Sequence, residues 1–246
     1  MEKEFYKDMH LQVKKYGWTY GFKVENGQQS FEVIPDKTID KPTVLHKLYS
    51  LSKYSIDALL KGYIYAAHPA EFNDLFDCHE DMLDFDDEDF IRYFLKTFAP
   101  EDFPDDRIEN EIMHNFKWTS TFVRRNFKEF NYKRFGVVSM TGNPMSIVMW
   151  SYYNNHKGFF IEFDLTAFPF KFHGPFPLNY QEKINPISIK ECGPGLGMLL
   201  QTNLKFKDWE HENEWRLLIE SEENMISPSF EILEELGGRD RKFSYP

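Results

Sequence analysis

The segment ENEWRLLIE, from Glu212 to Glu220, sets charged side chains against apolar ones at a spacing that an extended strand sorts into two faces. Glu212, Glu214 and Arg216 then line one side, and Trp215, Leu217 and Ile219 line the other. An apolar strand face has to be covered, so the segment predicts a sheet packed over a core. Two acids and a guanidinium in file admit two readings: a solvated strand edge, or a site where two carboxylates face a substrate.

The rest of the chain predicts the partners of that strand. WTYGFKVENGQQSFEVI reads as a hairpin, with Asn26-Gly27 supplying the positive φ angles of a tight turn. SKYSIDALLKGYIYAAHP reads as a short helix capped by Ser52 or Ser55 and ended by Gly62, then a strand over Tyr63–Ala67. Apolar residues at 108, 112, 116, 123, 127 and 130 predict a helix that is acidic at its start and basic at its end, as the helix dipole favours. FGVVSMT and FFIEFDL read as strands around a short helix in MSIVMWSYYNNHKG that ends at Gly158. CGPGLGMLLQTNL reads as a turn into a helix, and the C-terminal GGRDRKFSYP as loose chain. The expected class is α+β, a mostly antiparallel sheet with flanking helices. Residues 1–40 form an N-terminal hairpin extension and 41–246 a single domain.

With 25 Phe, 13 Tyr and 5 Trp the chain has ample material for a core. The net charge of −11 is concentrated: Glu71 to Asn110 holds 15 acids and 3 bases, a balance of −12. Such a surface repels a phosphate backbone, so nucleic acid is not a favoured partner. No stretch of eighteen apolar residues and no signal-peptide core is present, which points to a cytoplasmic protein with no membrane span. Cys78 and Cys192 are the two cysteines, with no CxxC or Cys/His cluster, so neither a disulfide framework nor a structural zinc site is expected, and no metal is expected.

Three blocks concentrate rare residue types. In FNDLFD, Asn73 and Asp77 either build an Asx turn or reach a ligand from it. In MWSYYNNHKG, Trp150, Tyr153 and His156 are either core packing and a helix cap or a stacking platform for a flat ring. In EHENEWR, Glu212 and Glu214 can shift each other's pKa and divide roles, while Arg216 pairs with a carboxylate or a substrate. GPGLG matches no nucleotide-binding fingerprint.

These blocks resemble the bacterial family called domain of unknown function 2971. The matching segments are LHKLYS (Leu45–Ser50), FNDLFDC (Phe72–Cys78), MWSYYNNHKGFFIEFD (Met149–Asp164) and KFKDWEHENEWR (Lys205–Arg216). Leu75 stands where the family tends to have proline. The resemblance implies a bacterial cytoplasmic protein and brings no settled activity. More distantly, the order of His46-Lys47 near Tyr49, Ser139-Met-Thr141 and Glu212-x-Glu214 resembles mono-ADP-ribosyltransferases of the arginine-modifying type.

That second resemblance implies an ADP-ribosyltransferase-like fold, NAD as cofactor, and transfer to a protein or small-molecule acceptor, as a toxin or phage-defence effector. Glu214 would hold the ribose and stabilise an oxocarbenium-like transition state, Glu212 would activate the acceptor, and Ser139 would complete the catalytic set. His46, Tyr49, Asn73, Asp77, Trp150, Tyr153, His156 and Arg216 would bind the ligand. Two other readings stay open: a non-catalytic ligand-sensing or protein-interaction module, and a metal-dependent phosphodiester hydrolase using Asp74, Asp77 and Glu162.

Overall fold

The chain begins with three strands in a meander: β1 (His10–Lys15), β2 (Trp18–Glu25) and β3 (Gln28–Ile34), each antiparallel to the next. A computed structural model describes residues 10–25, 28–167, 172–220 and 242–244. The expected hairpin is therefore present as β2 and β3, with its turn residues Asn26 and Gly27 outside the described residues. The added strand β1 carries Leu11 and Val13 on alternate positions, half-buried against the main core.

β4 (Val44–Ser50) leads into α1 (Lys53–Lys61), whose start is a reciprocal box. The Ser52 hydroxyl accepts from the Ser55 amide at 3.2 Å, and the Ser52 amide donates to the Ser55 hydroxyl at 3.0 Å. Gly62 ends the helix in the left-handed region at φ 62°. β5 (Tyr63–Tyr65) follows; Ala67 adds only an isolated bridge to Val137, so this strand is shorter than expected.

After β6 (Leu83–Asp84) and α2 (Glu88–Phe98), α3 runs from Asp105 to Arg134. Its buried stripe comprises Ile108, Ile112, Thr119, Val123 and Phe127, and it kinks at Asn115 (φ −132°). Both ends bind the acidic segment. Arg92 of α2 reaches Glu109 at 2.8 Å, while Arg124 lies 3.1 Å from Asp81 and Lys128 3.4 Å from Glu80. The acidic block is thus partly neutralised within the fold.

β7 (Phe135–Thr141), α4 (Ile147–Asn154), β8 (Gly158–Asp164), β9 (Phe172–Pro177), β10 (Asn179–Gln181), β11 (Ile187–Ser188), α5 (Ile189–Asn203), β12 (Leu204–Phe206) and β13 (Glu214–Glu220) complete the main body. The helix before β8 stops at Asn154, earlier than the expected Gly158. Asn155 and His156 are both left-handed, and the His156 amide bonds back to the Trp150 carbonyl at 2.9 Å. Gly158 serves another purpose: a Cβ there would stand 2.2 Å from the Tyr49 carbonyl, so β4 and β8 meet closely at that point. In the C-terminal segment read as loose, β14 (Lys242–Ser244) pairs with β5.

The main sheet has the order β8-β4-β7-β13-β9, antiparallel at every pairing. Two short parallel pairs, β10 with β12 and β11 with β6, lie apart from it. One face carries Val138, Met140, Trp215, Leu217 and Ile219 into a core with Leu45 and Phe163. On the other face Val137 and Leu218 join a larger core shared by α2, α3, α5 and the aromatic side chains Trp18, Tyr20 and Phe22 of β2. This is an α+β protein with a mostly antiparallel sheet.

Candidate functional site

The polar end of that second face opens into a cleft of about 290 Å³, near the lower limit of ordinary ligand clefts. Strand register builds it. Glu214 pairs with Thr141, Thr141 with His46, and Arg216 with Ser139, so residues far apart in the chain line up across three strands. The 3₁₀ turn Lys207–Glu212 and the left-handed Asn213 bring Glu212 in beside them. Glu212 is therefore not in file with Glu214 on the strand, which starts only at Glu214; the left-handed residue between them breaks the extended spacing.

A continuous polar chain runs through the floor. Arg216 is buried and forks onto Asp77, with Nη1 2.8 Å from Oδ1 and Nη2 beside Oδ2, while its Nε donates to Glu214 at 2.7 Å. Lys205 Nζ donates to Glu214 at 2.8 Å and to Glu212 at 2.6 Å. The Tyr153 hydroxyl donates to the other Glu212 oxygen, and Asn73 reaches that hydroxyl at 3.5 Å. Thr141 and Tyr180 fix the backbone: the first donates to the Glu212 carbonyl at 2.6 Å, the second accepts from the Glu214 amide at 2.9 Å. The Phe72 ring covers the guanidinium at 5.2 Å, and Trp209 lies 5.1 Å from the Lys205 ammonium.

The two acids are pushed apart. Burial raises the Glu212 carboxyl, reinforced by the charge of Glu214, and Lys205 offsets this only in part. For Glu214 burial acts in the same direction, but Arg216 and Lys205 on its two oxygens outweigh it and hold it well below the usual carboxylate range. Burial and the adjacent Glu212 raise the Tyr153 phenol. On the opposite wall Lys47 donates to the Ser139 carbonyl at 3.2 Å, and burial lowers its ammonium to about 8 although Glu214 pulls it upward.

Of the residues singled out in the sequence, the fold brings Glu212, Glu214, Ser139, His46, Asn73, Asp77, Tyr153 and Arg216 to this cleft. His46 Nε2 lies 3.1 Å from Glu162 Oε2, and its Nδ1 is buried without a hydrogen-bond partner among the described residues. Three others lie elsewhere. Tyr49 stacks on Phe159 at 5.4 Å, the Trp150 indole donates to the Pro144 carbonyl at 2.6 Å, and His156 is exposed beyond α4. Tyr49, Trp150 and His156 are thus spent on packing and on ending a helix.

Asp74 accepts from the Phe76 amide at 2.9 Å, forming the Asx turn that presents Asp77. Asp77 itself is committed to Arg216. No group of three His, Cys, Asp or Glu side chains is placed to hold a metal ion among the described residues. Sequence reasoning did not single out Lys205 or Tyr180 as site residues, and it named Lys47 only beside His46. The signal for Lys205 was present, since it opens the KFKDWEHENEWR block. No helix among the described residues is long and apolar enough to cross a membrane. No family model, no curated protein and no solved structure matches the chain.

Proposed function

We propose that the cleft takes the glycosidic end of a nucleotide, with NAD as the first candidate, and transfers its ribosyl group to an acceptor. The observation that carries this reading is the divergence of two neighbouring carboxyls that share Lys205: Glu214 is held ionised and Glu212 is raised. Carboxyls driven apart in this way suit the two halves of glycosyl transfer. Glu214 would face the positive charge that grows on the ribose as the bond to the leaving base breaks. Glu212 would exchange a proton with the attacking group through its contact with Tyr153. A volume of about 290 Å³ suits one nucleoside-sized end, with the rest of a dinucleotide lying outside. The acceptor, a protein or a small molecule, and the role as a toxin or defence effector in a bacterial cytoplasm follow from the family resemblances and belong to this proposal.

A second reading has its own support. Both Glu214 oxygens are occupied, and Arg216 is almost wholly enclosed by Asp77, Glu214 and the Thr202 carbonyl. A network so fully satisfied serves a ligand-sensing module equally well. The two are separated by incubating the protein with NAD and following both its thermal shift and nicotinamide release. Release that disappears in Glu214→Gln and Glu212→Gln supports transfer. A saturable shift without release supports the module, and neither effect at millimolar NAD removes NAD from the proposal.

A further inference from the structure

The main sheet has two edges, and they are built differently. β9 carries Pro175 and Pro177, its ladder with β13 is broken by a shift of register between Arg216 and Leu218, and Phe31 of β3 packs edge-on against its His173 at 5.0 Å. Proline, a bulge and a packed neighbour are devices that stop a strand edge from pairing with another chain. β8 has none of them. It runs GFFIEFD without proline or lysine, and it pairs with β4 in one unbroken register, from Ser50 opposite Gly158 to Val44 opposite Asp164. Among the described residues no strand pairs with its outer side.

The backbone of this edge has a defined direction. The Leu165 amide donates to the Thr43 carbonyl at 2.9 Å, one step beyond the pair of Val44 and Asp164. Backbone groups alternate sides along a strand, so those of Phe159, Ile161 and Phe163 point to β4, and those of Gly158, Phe160, Glu162 and Asp164 point outward. Phe160, Glu162 and Asp164 are exposed. An edge of this kind is a template for one more strand.

β8 is complementary to itself. When a second copy runs antiparallel and centred on Ile161, every outward residue meets an outward residue: Gly158 meets Asp164, and Phe160 meets Glu162. On one face Ile161 then lies against itself and Phe159 against Phe163, pairs that sheets favour. On the other face no acid stands opposite an acid, because Glu162 meets Phe160, and Asp164 meets the bare Gly158 next to Lys157. Moving the centre to Glu162 opposes two like charges, and moving it to Phe160 leaves Phe163 and Asp164 beyond the facing strand. The acid surplus of the chain, in residues 71–110, lies outside this strand.

We propose that the protein forms a two-fold dimer through β8, a second copy of the chain adding its own β8 in this register and continuing the sheet across the seam. The proposal stands whether or not the cleft transfers ribosyl groups.

Sedimentation equilibrium of the full chain, from low micromolar to near-millimolar concentration, should show a reversible monomer–dimer equilibrium. Opposite charges at one position then read the register. Phe160→Glu opposes Glu162 of the second copy, whereas Phe160→Lys forms an ion pair there. Over the two symmetric contacts, the Lys variant should dimerise about tenfold more tightly than the Glu variant. The same exchange at Met113, exposed on α3, controls for net charge and should separate its two variants by much less. If a Phe160 variant does not fold, hydrogen exchange in the parent reads the same seam: the Phe160 and Glu162 amides should slow as protein concentration rises, with no matching change in β1. A chain that stays monomeric over this range overturns the proposal. So does a dimer of equal strength in both Phe160 variants, or one in which those two amides stay unprotected.

Discussion

Arg216 grips Asp77 across 139 residues of sequence, both oxygens of the carboxylate being taken by one guanidinium inside the protein. A bidentate pair at this depth ties the loop after β5 to the middle of the sheet. Removing the cation leaves Asp77 and Glu214 as buried charges with one partner fewer, a loss of about 3–5 kcal/mol. Arg216→Met should therefore unfold at markedly lower urea. Arg216→Lys should recover little, because an ammonium cannot make the fork. A loss below about 1 kcal/mol in Arg216→Met would contradict this account.

The opposed carboxyls give opposed pH behaviour. Glu214 has a depressed pKa in the folded state, so its stabilisation is complete above the unfolded value of about 4.3 and is lost as the pH falls through the folded value. Glu212 has a raised folded pKa, so its contribution is present at low pH and lost as the pH rises through that value. Thermal melts at pH 7 should show Glu214→Gln well below the parent and Glu212→Gln at or above it. The gap between the two variants should narrow as the pH is taken below about 4. The reverse order at pH 7 would reassign the two acids.

Lys47 titrates with the sign of a buried base. Its folded pKa of about 8 lies under the ordinary value of 10.5, so the burial penalty is fully present below pH 8 and fades as the pH rises towards the unfolded value. Lys47→Met should melt higher than the parent at pH 7, with the difference closing above about pH 10. In protein with reductively methylated lysines, one resonance should titrate near 8 and be missing from the variant. If every lysine resonance titrates near the ordinary value, the ammonium is better hydrated than its surroundings imply.

Gly158 tests the seam between β4 and β8. A methyl group there has to displace the Tyr49 carbonyl, which belongs to the backbone of the facing strand. Gly158→Ala should cost about 2 kcal/mol or more, by the overpacking that a filled site enforces. Hydrogen exchange should report it as faster exchange along β4 and β8, with α2 and α3 unaffected. A variant as stable as the parent would mean that the two strands separate there at little cost.

What could be read in the sequence was what short segments decide for themselves. Side-chain alternation separates Trp215, Leu217 and Ile219 from Glu214 and Arg216 without knowledge of the neighbours, and the structure keeps that division. The Ser52 cap and the Gly62 stop are equally local. Glu212 was harder: the left-handed Asn213 that removes it from the strand has no period to betray it. Lys205 and Lys47 needed the whole fold. Each lies in a block that the sequence marks, but it becomes a site residue only because β12 and β4 arrive from opposite sides of the chain, a meeting that nothing in one dimension foretells. Trp150 stayed open between two readings for the same reason, since a ring that bonds to a turn and one that stacks on a ligand look alike in one dimension.

β13 is among the last of the described strands along the chain, yet it occupies an inner place in the sheet, between β7 and β9. While the chain is being made, those two strands stand ready with unpaired edges until β13 emerges. The cleft is equally late, because Glu214 and Arg216 ride on that partner. During synthesis the protein thus passes through a stage at which four of the five strands of this sheet exist but its pocket does not, and its open strands are then most exposed to the wrong neighbour.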